Sequence, residues 1–220
     1  MSIASQIHNI LSTLPEGVRL IAVTKTLSAE TIIEAYEAGL RSFAENRPQE
    51  LAQKIMQLPS DTEWHFIGHL QTNKVKMVVG KAQLIHSVDS ERLLKEIEKE
   101  AAKQGITAHC LLQVHIAQEE AKFGFLPDEL CKFLHSGILT IVPHIKIAGL
   151  MGMASLTENP EQVRREFHSL KQLFNQIKNT YFSSDNNFRE LSMGMSGDYP
   201  IAIEEGATLV RIGTTIFGHR

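Results

Sequence analysis

Cysteine is nearly absent from this chain, at two residues in 220; tryptophan occurs once and aromatic residues make up 6%. Two thiols, Cys110 and Cys131, cannot build a disulfide framework. Each stands in an apolar stretch and reads as a buried free thiol, which places the chain in a reducing cytoplasm. No excess of one charge exists either. Twenty-two Lys and Arg against 25 Asp and Glu leave −3, too weak a field to make nucleic acid or an anionic membrane the partner. No apolar run approaches the roughly 18 residues of a spanning helix, and the N-terminus lacks a basic leader region. Also missing are a Gly-x4-Gly-Lys-Ser/Thr loop and a strand-linked Gly-x-Gly-x-x-Gly, so a nucleotide enzyme has no motif to stand on. What remains, 43% hydrophobic and 21% charged, is the composition of a soluble globular protein whose partner is a small ligand.

Strands and helices alternate along the chain. After an amphipathic start over 2–14 and a turn at Pro15 to Gly17, the β-branched run 19–24 reads as a first strand. Ser28 caps a helix over 29–38 that Gly39 stops, and 41–44 is the second strand. The rhythm continues with helix 49–57, strand 64–67, helix 72–79 and strand 84–88. Ser90 opens the most strongly amphipathic helix, 91–104, ended by Gly105. Then come strand 107–114, helix 128–135 behind Pro127, strand 145–150, helix 161–181, strand 188–193, helix 198–205, strand 208–212 and a final segment 214–220. Eight such units without a Pro-, Gly- or Ser-rich linker predict one (β/α)8 barrel domain over 1–220, slightly below the typical size of about 250 residues. A doubly wound open sheet is the alternative, because apolar successions such as 20–23 and 111–114 suit any buried parallel strand.

In either fold the chemistry sits at the C-terminal ends of strands. Lys25 closes the first strand, where apolar neighbours would desolvate its amine, lower its pKa and free it for a Schiff base with a carbonyl; a solvent-facing lysine is the plainer reading. The seventh strand runs into Ser192-Met-Gly-Met-Ser-Gly-Asp198 and the eighth into Arg211-Ile-Gly-Thr-Thr215. Backbone N–H groups at Gly194, Gly197 and Gly213, with the hydroxyls of Ser196 and Thr214, form a phosphate cradle where barrels carry one; tight turns and helix caps would use the same residues. A reactive lysine facing a phosphate site suits pyridoxal 5′-phosphate, whose aldehyde and phosphate are borne at separate positions of one ring.

The motifs Ala22-Val-Thr-Lys25, Ala44-Glu-Asn-Arg-Pro-Gln-Glu50, His65-Phe-Ile-Gly-His-Leu-Gln-Thr-Asn-Lys74, Gly149-Leu-Met151, Leu191-Ser-Met-Gly-Met-Ser196 and Val210-Arg-Ile-Gly-Thr214 carry a resemblance. The chain resembles the pyridoxal-phosphate homeostasis proteins, single-barrel relatives of the alanine racemase N-terminal domain, from Ile21 to Gly218. The resemblance implies that Lys25 holds the cofactor as a Schiff base, that Asn46 stands beside the ring with Met193 near it, and that Ser196, Gly213 and Thr214 hold the phosphate. It also aims Arg211 at the pyridine nitrogen. A guanidinium only donates, so the ring stays unprotonated and is a poor electron sink. The implied role is non-catalytic: keeping or delivering the cofactor, with apo-enzymes met transiently. The cytoplasmic place follows from the free thiols, and the lack of obvious exposed apolar stripes makes a monomer the default.

Two departures from the family's pattern touch no proposed ligand: Ala44 stands where the family often has Gly, and the segment before the first strand is short. The enzymatic alternative is a racemase or another weak pyridoxal-phosphate enzyme. Racemases of this resemblance add a C-terminal domain supplying a tyrosine, which this sequence does not show; Tyr199 is expected to pack on its own loop. His65 and His69 are four apart but on a strand and a loop, so they form no helical metal face, and no metal is expected. His65 is expected inside the barrel or at the pocket mouth, with Gln71, Asn73 and Lys74 donating near it or capping the next helix. The basic stretch 74–81 reads as a solvated helix face.

Overall fold

Hydroxyl caps and prolines set the helix starts. Ser2, Ser28 and Ser90 each accept a backbone N–H three residues on, and Pro48, Pro127 and Pro160 occupy first turns. In the computed structural model, which describes residues 2–118 and 123–218, these signals give α1 (Ile3–Thr13), α2 (Ala29–Glu37), α3 (Pro48–Lys54), α4 (Glu91–Gln104), α5 (Pro127–His135), α6 (Pro160–Tyr181), α7 (Tyr199–Glu204) and α8 (Thr214–Phe217). Gly105 ends α4 at φ 65°, the left-handed conformation that a side chain would resist.

The strands are β1 (Arg19–Val23), β2 (Ser42–Glu45), β3 (Glu63–Phe66), β4 (Leu84–Val88), β5 (Ala108–His115), β6 (Ile145–Met153), β7 (Glu190–Ser192) and β8 (Leu209–Ile212). Each pairs in parallel with the next, and β8 returns to β1 with Ile21 opposite Arg211, closing the ring. The (β/α)8 barrel is therefore the fold, and the open-sheet alternative falls. Side-chain alternation sorts each strand into two layers. Leu20 and Ala22 face outward into a large cluster shared with the helices, whereas Ile21 and Val23 join Ala44, Leu84, Leu111, Ala148, Met151 and Leu209 inside the ring. Ala44 keeps negative φ, as its place in β2 requires.

Several boundaries differ from the sequence reading for physical reasons. Residues 72–79, predicted as a helix, form a 3-10 turn over Thr72–Met77; Gln71 supplies no side-chain cap and Gly80 turns the chain at φ 78°, leaving no length for an α-helix to propagate. Within the stretch 74–81 the apolar Val75, Val78 and Val79 are buried. The strand predicted over 145–150 runs on to Met153 because β5 offers partners along its whole length. Its register with β5 shifts between Cys110 and Leu111, and Gly149 sits beside that shift. A second 3-10 turn, Ile138–Ile141, carries no cap or periodicity to announce it. The final segment holds a helix only over Thr214–Phe217, and residues 219–220 lie outside the described residues. Cys110 is buried, which pushes its thiol up to about 12. Cys131, expected to be buried too, is only half-buried in the middle of α5. No helix among the described residues is long and apolar enough to cross a membrane.

Candidate functional site

The C-terminal rim of the ring opens into a cavity of about 640 Å³. Lys25 and Asn46 stand at its edge just past β1 and β2, while Ser196, Gly213 and Thr214 line it from the loops after β7 and β8, with Arg211 beneath them. Six residues singled out in the sequence, more than 180 positions apart at their extremes, thus share one cavity.

Two local devices shape the Lys25 end. Thr26 has φ 66°, rare for a β-branched residue, and its N–H donates to Glu50 Oε2 at 2.8 Å. Behind it lies a buried ionic cluster: Lys54 Nζ donates to the Thr24 carbonyl at 2.9 Å, to Glu45 Oε1 at 2.7 Å and to Glu50 Oε2 at 3.3 Å. Burial pushes the Glu45 carboxyl up despite its bonds from Lys54 and Thr24. Burial also acts on Glu50, yet Thr26 N–H and Lys54 outweigh it and hold that carboxyl below the usual range. The peptide carrying Lys25 is thereby pinned from outside the barrel. Lys25 itself is exposed where it lines the cavity.

Next to Lys25 around the ring, where β8 pairs with β1, the N–H groups of Gly213 and Thr215 converge on Ser196 Oγ at 3.2 and 3.3 Å, which joins the two glycine loops. Asp198 accepts Met195 N–H; burial pushes its carboxyl up, with that bond and the nearby Arg211 charge working against the rise. Arg211 is 3% exposed and anchored twice, donating through Nη1 to Ser192 Oγ at 2.7 Å and through Nη2 to the Gly152 carbonyl at 3.1 Å. Burial pulls its guanidinium down to about 10, so it stays protonated at neutral pH.

Three observations fit pyridoxal phosphate to this cavity. Asn46 Oδ1 is buried with no hydrogen-bond partner among the described residues, an acceptor awaiting a donor. A Cβ at Gly68 would come within 2.1 Å of the Asn46 carbonyl, so only glycine lets that wall close up behind Asn46. Hydroxyl and backbone donors gather past β7 and β8, and an amine stands past the neighbouring β1.

Met193, expected near the cofactor, is a correction. It is fully buried in the outer cluster, because the alternation that turns Ser192 inward turns Met193 outward; Met195, beyond the Gly194 turn, reaches the cavity instead. Tyr199 packs on its loop against the outer core and does not line the cavity. His65 is inside the barrel and His69 is exposed at the mouth, bonded to Asp89 at 3.0 Å and against the Phe123 ring. Gln71 caps nothing with its side chain. No group of three or more His, Cys, Asp or Glu among the described residues could hold a metal. The sequence reading passed over Gln113 and Met151, which line the cavity from β5 and β6; a glutamine inside an apolar strand was the available signal.

The chain matches the family model described as alanine racemase, N-terminal domain, over residues 1–220. A protein named pyridoxal phosphate homeostasis protein from Aquifex aeolicus is 45% identical over 203 residues, 92% of this chain and 87% of its own length. One of the same name from Synechocystis is 42% identical over 213 residues, 96% and 95% of the two chains. Among solved structures, PipY of Synechococcus elongatus superposes with TM-score 0.92 without PLP and 0.89 with PLP bound, at 36% identity over 99% of this chain and 100% of that one. The alanine racemase of Bartonella henselae shares the fold, with TM-score 0.75 at 15% identity, over 99% of this chain and 58% of its own.

Proposed function

The chain belongs to the alanine racemase N-terminal domain family, and from that premise we propose that it is a cytoplasmic pyridoxal phosphate-binding protein that holds the cofactor for homeostasis or delivery and does not turn over a substrate. The observation that carries this reading is the convergence of Lys25, the unpartnered Asn46 Oδ1 and the Ser196, Gly213 and Thr214 donors on one cavity with Arg211 beneath. Bound pyridoxal phosphate supplies an aldehyde that a lysine amine captures as a Schiff base, and a ring that draws electrons when its nitrogen is protonated.

The residues favour capture over turnover. Lys25 lines the cavity from an exposed position. Ser196, Gly213 and Thr214 orient a phosphate by hydroxyl and backbone donors. Arg211, fixed by Ser192 and Gly152 and protonated at neutral pH, can only donate toward the ring nitrogen and brings it no proton. That both relatives are named for homeostasis and not for a reaction supports the same reading. The free, buried Cys110 accords with a reducing cytoplasm. A monomer that meets apo-enzymes at the open rim completes the proposal.

Purified protein mixed with pyridoxal phosphate is expected to develop a visible absorption band, and borohydride is expected to tag Lys25 in peptide maps; Lys25→Ala is expected to lose both. Absence of a band in wild type overturns the binding reading. Amino-acid racemisation or transamination by the loaded wild type, absent in Lys25→Ala, overturns the non-catalytic part and favours the weak enzyme.

A further inference from the structure

A row of hydrogen bonds crosses the barrel interior from the cavity to its opposite end. Arg211 donates to Ser192 Oγ, Ser192 Oγ lies 2.9 Å from His86 Nδ1, and His86 Nε2 lies 2.9 Å from His65 Nδ1. Its direction follows from chemistry. A guanidinium has no acceptor, so Ser192 accepts from Arg211; its own hydrogen then goes to His86 Nδ1, the remaining acceptor in a buried space. Burial keeps both imidazoles neutral, so His86 donates through Nε2 to His65 Nδ1. His65 Nε2 therefore carries the last hydrogen of the row.

His65, 3% exposed, lines a second cavity of about 210 Å³ at the N-terminal end of the ring, with Arg19, Arg189, Gln83, Asn187 and Glu190. The lining is rich in donors. Its single carboxylate, Glu190, already accepts from Arg19 at 2.7 Å and from the Thr208 hydroxyl at 3.0 Å, and Arg189 approaches it at 3.4 Å. Two guanidinium groups on one carboxylate leave a positive charge and several N–H groups over, and the volume is below that of pockets for drug-sized ligands.

We propose that this basal cavity is a binding site for a small oxyanion, a phosphate or a carboxylate, gripped by Arg189 and Arg19 with the His65 Nε2–H at its floor. The proposal stands apart from the cofactor reading, since no residue of the upper cavity takes part in gripping the ligand.

The experiment titrates inorganic phosphate, and malonate in a second arm, into protein saturated with pyridoxal phosphate, following imidazole 15N resonances and binding heat. The expected result is saturable binding of at least one anion with a shift at His65 Nε2, weakened at least about tenfold by Arg189→Gln; Arg189 is largely exposed, so that variant folds. Arg165→Gln, which removes an exposed charge on α6 and lines neither cavity, is expected to leave the binding intact. The proposal is overturned if neither anion binds saturably, if Arg189→Gln binds as wild type does, or if Arg165→Gln abolishes the response.

Discussion

At the scale of single residues, the segment beside Lys25 is built against its own preference. Thr26 at φ 66° is held there by its bond to Glu50, and such a conformation costs on the order of 1–3 kcal/mol. Glycine removes that strain while adding roughly 0.5–1 kcal/mol of backbone entropy to the unfolded chain. Thr26→Gly is therefore expected to be neutral or to stabilise by up to about 2 kcal/mol in urea denaturation; a loss beyond about 1 kcal/mol contradicts the strain. Lys25, Ser196, Gly213 and Thr214 were legible because each follows a strand, and the fold sends strand ends to one rim; Asn46 and Arg211, which line the same cavity, came only from the resemblance. Met193 was misplaced because two methionines flank Gly194 and only the parity of β7 tells which turns inward. Nothing in sequence singled out Lys54, whose partners Thr24 and Glu45 stand just past β1 and at the end of β2.

At the scale of elements, β6 shows how a strand can depend on one missing side chain. Gly149 has φ 151°, and a Cβ there would stand 1.8 Å from the Glu190 carbonyl of β7. Gly149→Ala must push β6 and β7 apart where their pairing begins, at the Gly149 to Glu190 register. The expected cost exceeds about 3 kcal/mol, read as a fall in the urea midpoint or as insoluble expression; a wild-type midpoint would refute the close approach. The helices with serine caps were legible to within a residue because caps are local chemistry. The β5–β6 register shift and the Ile138–Ile141 turn were not, because each is set by pairing or packing between distant segments.

At the scale of the whole molecule, the buried imidazoles govern the response to acid. Burial first, with Arg19 adding to it, holds His65 down at about 3 from an ordinary 6.5, and His86 is lowered by burial and by its charged neighbours. The unfolded chain takes up protons below about pH 6.5 that the folded chain refuses. The contribution is thus fully present above pH 6.5 and is lost as pH falls toward 3, at up to about 1.4 kcal/mol per pH unit for each histidine. Glu45 and Asp198, whose carboxyls are raised, act oppositely: their contribution is present in acid and fades as pH rises through their folded values. The urea midpoint is expected to drop steadily from pH 7 to pH 4, with a shallower slope in His65→Asn. A flat midpoint across that range rules the account out. The place of His65 was partly legible in sequence, but its pairing was not, since His65, His86 and Ser192 meet only once β3, β4 and β7 share one interior.

The closure of β8 onto β1 has a consequence for how much of this protein a cell can keep. In the proposed role of holding a cofactor, capacity rises with the amount of chain made. Abundance is hazardous for an open sheet, whose outermost strands offer unpaired amides to any neighbour and template fibres. In this ring every strand has a partner on both sides, so crowding finds no strand to extend, and the folded chain can accumulate without templating fibres.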